Sequence, residues 1–214
     1  MTLVIIPARL GSARMQNKML ELIGKKTILQ HCIDRAHEAG LAPWVATDSN
    51  EIVDSIAGKC PHIFTGAANC GTDRVAMAAE LIDPAGEHQY VVNFQGDMPF
   101  IDPQMLREFV KYVEGSAISG TECFTAVCEL KVVEVLVKRE FRRNTIRSHI
   151  GLYGYTRAAL RTFAATPQSA QELAQSLEQL RCPEKFTWGY MYFASMPIEI
   201  NKKIDLEEVR RCRL

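Results

Sequence analysis

The chain has 214 residues, and its 25 basic side chains balance 25 acidic ones. With 47% hydrophobic and 23% charged residues it has the composition of one globular domain with a substantial core. This balance gives no support to nucleic-acid or membrane binding, no apolar run reaches membrane-span length, and the N-terminus lacks secretory-signal features, so a cytoplasmic protein is expected.

Leu3 to Ala8 is an apolar run of strand length, and it discharges into a loop carrying Arg9, Arg14 and Lys18. Thr27 and Gln30 have capping-box spacing, and Ile28, Leu29, Cys32, Ile33 and Ala36 then follow a helical period until Gly40. Trp44 to Thr47 reads as a strand, Asp48-Ser49 opens a helix through Ile56, and Ile63-Phe64 is a short third strand. Thr72 to Ile82 is helical, with Val75, Ala78, Ala79 and Ile82 on one side. Tyr90 to Gln95 is a β-prone run ending in Gly96-Asp97, and Asp102-Pro103 opens the next helix. Alternating strands and helices imply a Rossmann-like, mostly parallel α/β sheet with helices on both faces. Ligands of such sheets bind outside the carboxyl ends of the strands, where Arg9 to Lys18 and Gln95 to Asp97 both lie.

The pattern changes after about residue 120. Cys123 to Leu130 and His149 to Tyr155 read as strands without a crossover helix, which implies a small antiparallel extension. Helices over 157–165 and 170–180, a strand over 186–194 and a terminal helix over 205–211 complete the chain.

Several residue types in this order carry chemistry. In a neutral chain a local cluster of Arg9, Arg14 and Lys18 suits a polyanion such as a nucleotide triphosphate, although solvated loops also gather cations. The loop has neither the G-K-[ST] of a Walker A motif nor a G-x-G-x-x-G fingerprint, so side-chain cations would hold the phosphates, and a dinucleotide-binding Rossmann protein is disfavoured. Asp97, at a strand's carboxyl end, is placed to hold Mg²⁺ or to form a turn. Thr72 is read as the cap of its helix, and Arg74 in the first turn either meets an anionic ligand or faces water. His149 and Tyr153 share a strand face, where they line a pocket or pack. The seven scattered cysteines include no C-x-x-C pair and read as reduced, mostly buried thiols, with a zinc site or disulfides as the weaker alternative.

Taken in order, these segments resemble the 3-deoxy-manno-octulosonate (KDO) cytidylyltransferase family. The matching residues are Ile5 to Arg9 with Ser12, Arg14 and Lys18; Val45 to Asp48; Gly71 to Arg74; Val92-Asn93 with Gln95 to Asp97; His149 to Tyr153; and Ser176 to Arg181. The resemblance implies a nucleotide-diphospho-sugar transferase-like fold in one domain over 1–214. Residues of about 120–156 would form a shortened sugar-side and dimerisation subdomain. It implies transfer of CMP from CTP to an eight-carbon sugar acid for lipopolysaccharide biosynthesis, with Mg²⁺, in a homodimer. On this reading Arg9, Lys18 and Asp97 are catalytic. Ala8, Arg9, Ser12, Arg14, Lys18, Thr47, Asp48, Thr72, Arg74 and Gln95 bind the nucleotide. His149, Tyr153, Glu178 and Gln179 bind the sugar acid.

The chain also departs from the family pattern. The family's R-L-P-G-K-P-L loop is here Arg14 to Leu20 without either proline or the glycine, so a less preorganised loop is expected. A stretch before His149, with its I-P-x-x-R segment, is missing; Arg142, Arg143 and Arg147 are candidate substitutes. The second metal-binding Asp of the family falls on Asn201, beside Lys202 and Lys203, so a weakened or single-metal site centred on Asp97 is expected. These departures keep two alternatives open: a CTP- or CMP-binding paralogue without efficient turnover, and an enzyme for a different sugar acid.

Overall fold

The computed structural model describes residues 1–11, 15–116, 121–130, 146–175, 177–181 and 185–213. Ser12, Arg14, Arg142, Arg143, Ser176 and Cys182 lie outside the described residues, as does the side chain of Arg147. Among the described residues the strands are β1 (Thr2–Pro7), β2 (Leu22–Ile23), β3 (Lys26–Thr27), β4 (Pro43–Thr47), β5 (His62–Phe64), β6 (Tyr90–Phe94), β7 (Cys123–Leu130), β8 (Ile146–Thr156) and β9 (Trp188–Phe193). The helices are α1 (Ile28–Glu38), α2 (Asn50–Ser55), α3 (Gly71–Ile82), α4 (Pro103–Ser116), α5 (Arg157–Ala165), α6 (Ala170–Gln175) and α7 (Lys203–Arg213).

Seven strands form one sheet in the order β5-β4-β1-β6-β8-β7-β9. β5, β4, β1 and β6 run parallel, β8 is antiparallel to both β6 and β7, and β9 is parallel to β7. The expected antiparallel strands thus continue the main sheet. β1 explains the apolar opening of the chain, because both of its faces are covered. Val4 and Ile6 pack with Leu29 and Ile33 of α1 and Leu106 and Phe109 of α4. Leu3 and Ile5 pack with Val75 and Ala79 of α3 and Leu160 and Phe163 of α5. A third cluster joins Ile23 and Ile28 to Ile200, Leu206 and Val209, and so seats α7 against the β2–β3 hairpin.

The capping box at Thr27 forms as expected: Gln30 N donates to Thr27 Oγ1 at 3.1 Å, and Thr27 N donates to Gln30 Oε1 at 3.0 Å. Two expectations need correction. The hairpin at 22–27 escaped the sequence reading, although Gly24, with φ of 62°, makes its turn possible. The helix expected over 170–180 stops at Gln175, and a 3₁₀ turn follows at Glu178–Leu180. Ser169 explains the break: its hydroxyl accepts from Glu172 N at 3.0 Å and donates to Leu180 O at 2.7 Å. A continuous helix would hold residues 169 and 180 about 16 Å apart.

Where β8 crosses α4, space is tight. A Cβ on Gly154 would lie 2.5 Å from Val113 Cγ2. Gly154→Ala should therefore cost about 1–3 kcal/mol, read from the urea midpoint, and Val113→Ala in the same chain should recover part of it.

Candidate functional site

The carboxyl ends of β1, β4 and β6 converge. A crevice of about 420 Å³ opens after β1, lined among others by Arg9, Leu10, Gly11, Asp48, Glu51 and Arg74. Ala8 continues the line of β1 by donating its N–H to Ala46 O at 2.9 Å, and this delivers the exposed Arg9 to the crevice. Arg74 is 3% exposed, and its guanidinium donates to Asp48 Oδ2 at 2.6 Å and to Thr65 Oγ1 at 2.5 Å. It therefore does not face water, the second of the two expectations for it. An internal carboxylate compensates it and is held at the crevice wall. Thr47 Oγ1 accepts from Ser49 N at 3.2 Å and so shapes the turn into α2.

Thr72 is not the cap of α3. Cys70 takes that place, its Sγ accepting from Asp73 N at 3.4 Å. Thr72 lies two residues further on, within the first turn, and is fully buried, with Oγ1 accepting from Asn93 Nδ2 at 2.9 Å.

The residue before the 3₁₀ turn at Lys18–Leu20 is held by its own main-chain contacts. Asn17 adopts φ 53°, the left-handed region, at the place where the family pattern has glycine. Asparagine tolerates this conformation better than other side-chain-bearing residues. Its N–H donates to Leu10 O at 3.0 Å, and its carbonyl accepts from Leu20 N at 2.8 Å. The turn buries Lys18, whose Nζ donates to Asp97 Oδ2 at 2.9 Å. Lysine and aspartate, expected to serve phosphate and metal, are thus joined to each other.

The sequence reading missed Glu199. Ile200 N donates to Asp97 O at 2.9 Å, which brings residues 199–201 beside Asp97. Asn201 turns its Nδ2 to Glu199 Oε2 at 3.1 Å, while Asp205 Oδ2 accepts from Asn201 N at 2.8 Å and Lys202 N at 2.7 Å. Burial and the field of Asp97 push the Glu199 carboxyl above its ordinary range. A carboxylate two residues before Asn201 was the available signal, since alternate side chains of an extended segment share a side. Among the described residues no group of three or more His, Cys, Asp or Glu side chains is arranged for a metal. The described cysteines are free thiols, of which Cys32, Cys123 and Cys128 are buried.

On β8 the His149 and Tyr153 rings lie 4.9 Å apart, and Tyr153 OH donates to Gln179 Oε1 at 2.8 Å. Gln95 lies against Gly151, where an added Cβ would come within 2.8 Å of Gln95 Oε1. Glu178 is buried, and burial raises its pKa. Its Oε2 and the Oδ1 of Asn93 are buried without a hydrogen-bond partner among the described residues. Such oxygens are costly unless a donor arrives. Burial pushes His149 down to about 4, so its ring is neutral at pH 7. The turn carrying Glu178 and Gln179 is anchored by Arg181. Its guanidinium donates to Glu172 at 2.8 and 3.0 Å and to Asp73 Oδ1 at 2.6 Å, and lies 4.4 Å from the Phe163 ring centroid.

A cytidylyltransferase family model matches residues 3–136. The 3-deoxy-manno-octulosonate cytidylyltransferase of Rickettsia rickettsii is 32% identical, over 96% of this chain and 94% of the relative. That of Rickettsia bellii is also 32% identical, over 96% of this chain and 93% of the relative. Among solved structures, a CMP:2-keto-3-deoxy-manno-octonic acid synthetase complexed with CTP superposes with a TM-score of 0.82 at 26% identity, covering 99% of this chain and 97% of that one. A cytidylyltransferase from Leptospira borgpetersenii, at 21% identity and a TM-score of 0.69 over 99% of this chain and 85% of that one, shares the fold.

The Arg181 network makes stability acid-sensitive. Burial alone would raise the Glu172 pKa, but hydrogen bonds from Arg181 and Gln168 outweigh it and lower the carboxyl. This contribution is present above the ordinary glutamate pKa and is lost as pH falls through the lowered folded value. Arg181→Met should cost about 3–5 kcal/mol at pH 7 by urea titration, because Glu172 and Asp73 lose their buried partner, and should flatten the fall in stability below about pH 4.5.

Proposed function

This chain belongs to the cytidylyltransferase family, and from that premise we propose that it transfers CMP from CTP to 3-deoxy-manno-octulosonate or a close eight-carbon sugar acid, releasing pyrophosphate, in lipopolysaccharide biosynthesis. The Lys18–Asp97 contact of 2.9 Å carries the reading, because it couples a phosphate-type cation to a metal-type carboxylate at the carboxyl ends of adjacent parallel strands.

The sugar's anomeric hydroxyl attacks the α-phosphorus of CTP, and the bond to pyrophosphate breaks in line. Such chemistry depends on positioning and on charge placed in advance. Arg9 and Lys18 serve the triphosphate, together with Ser12 and Arg14 of the same motif. Arg74 fixes Asp48 at the wall of the nucleotide crevice, with Ala8, Thr47, Thr72 and Gln95 shaping its surroundings. Tyr153, Gln179, Glu178 and His149 offer hydrogen-bonding groups to the sugar acid. The two unpartnered buried oxygens of Glu178 and Asn93 favour a ligand rich in hydroxyl donors.

The donors beside Asp97 fit Mg²⁺, which takes hard oxygen ligands and shares one or two carboxylates with substrate phosphates. Asp97 and Glu199 would hold it, and their mutual repulsion favours a cation between them. The ion supplies charge neutralisation on the phosphates. Glu199 then offsets the carboxylate absent at Asn201. Pairing of two copies through residues of about 120–156 belongs to the same reading, and sedimentation velocity would show a dimer.

With CTP, Mg²⁺ and the sugar acid, pyrophosphate should appear at a rate that Asp97→Asn lowers by about 10²–10³. Calorimetric CTP binding without pyrophosphate release, from this or other sugar acids, would replace the enzyme by a nucleotide-binding protein. Glu199→Gln should weaken Mn²⁺ binding in the presence of CTP by about tenfold, measured by electron paramagnetic resonance, whereas Asn201→Asp should change it little.

A further inference from the structure

We propose that Thr125 fixes His149 as the tautomer with its hydrogen on Nε2, leaving Nδ1 as a bare acceptor for a hydroxyl of the sugar substrate. The substrate half of this statement rests on the function proposed above; the tautomer does not.

Thr125 sits at an irregularity in the strand register. Thr125 of β7 stands opposite Tyr153, but its neighbour Ala126 stands opposite Ile150, so Gly151 and Leu152 have no residue opposite them on β7. On the other edge Gln95 N donates to Gly151 O at 3.2 Å, and Leu152 stands opposite Phe94. Alternation of the antiparallel ladder then turns the Leu152 carbonyl towards β7, at the irregularity. Thr125 meets it there: its Oγ1 lies 3.0 Å from Leu152 O and 3.1 Å from His149 Nε2. A hydroxyl has one hydrogen, and a carbonyl has none to give. Thr125 must therefore donate to Leu152 O and accept from His149, so the imidazole hydrogen sits on Nε2.

The half-buried ring is neutral, so its other nitrogen carries a lone pair. Among the described residues no hydrogen-bond partner lies at Nδ1. A lone pair cannot bond a carboxylate, so this nitrogen selects an O–H donor of the sugar acid and not its carboxyl group. Thr125 is a positioning residue, because it acts through His149.

The test uses the full chain with ¹⁵N-labelled histidine and no substrate. Long-range ¹H–¹⁵N spectra of the wild type should show a pyrrole-type Nε2 and a pyridine-type Nδ1 for His149. Thr125→Val should mix the tautomers, and Thr125→Ser should preserve the wild-type pattern. In the pyrophosphate assay Thr125→Val should raise KM for the sugar acid about 3- to 10-fold with KM for CTP unchanged, and Thr125→Ser should restore it. A pyridine-type Nε2 or an imidazolium in the wild type at pH 7 would overturn the inference, as would a valine variant with wild-type spectra and KM. If the valine variant does not fold, the wild-type and serine spectra still decide. The spectra stand without turnover, so failure of the proposed reaction and failure of the tautomer are separate results.

Discussion

The ion pair between Lys18 and Asp97 organises this molecule. It joins the loop after the first strand to the carboxyl end of its parallel neighbour, and it is largely removed from water. A buried ion pair is a weak source of net stability, because desolvation of both groups offsets most of their attraction. Its value is geometric. It fixes where a cation and a carboxylate meet, and the surrounding main chain is arranged to keep them there. Asn17 supplies the left-handed turn that buries Lys18, and Ile200 ties the 199–201 segment to the carbonyl of Asp97.

Two kinds of buried polarity flank this centre. Arg74 with Asp48, and Arg181 with Glu172 and Asp73, are internally matched, and they act as fixed points from which α3 and the 178–180 turn are hung. Among the described residues Glu178 and Asn93 each keep one buried oxygen without a partner. The contrast separates scaffold from surface for binding: charges that hold the site are paired, and acceptors that would meet a ligand are not. Arg181 connects the two, since Asp73 belongs to the same helix as Arg74 and follows Thr72, which bonds Asn93.

Much of this was legible in the sequence, because local rules and global packing agree in the first half of the chain. β1 was read from an apolar run that both sheet faces require, and α1 from its capping box. The placement of Asp97 and Lys18 at strand ends followed from the rule for parallel sheets. What stayed hidden depended on contacts between distant segments. Nothing local marks Cys70 as a cap in preference to Thr72, whose hydroxyl is claimed by Asn93. The break at Gln175 depends on Ser169 reaching Leu180. Glu199 gained meaning only when Ile200 was seen bonded to a residue a hundred positions earlier, and the Thr125–His149 contact arises from a register shift that no periodicity encodes.

The centre formed by Lys18, Asp97 and Glu199 carries the proposed chemistry. A crystal structure with CTP and Mn²⁺, with manganese located by its anomalous scattering, addresses it most directly. The expected result is one manganese peak between the carboxylates of Asp97 and Glu199 and the CTP phosphates, with Lys18 Nζ against a phosphate oxygen. Manganese bound elsewhere, or CTP seated with its phosphates away from Lys18 and Asp97, would contradict it.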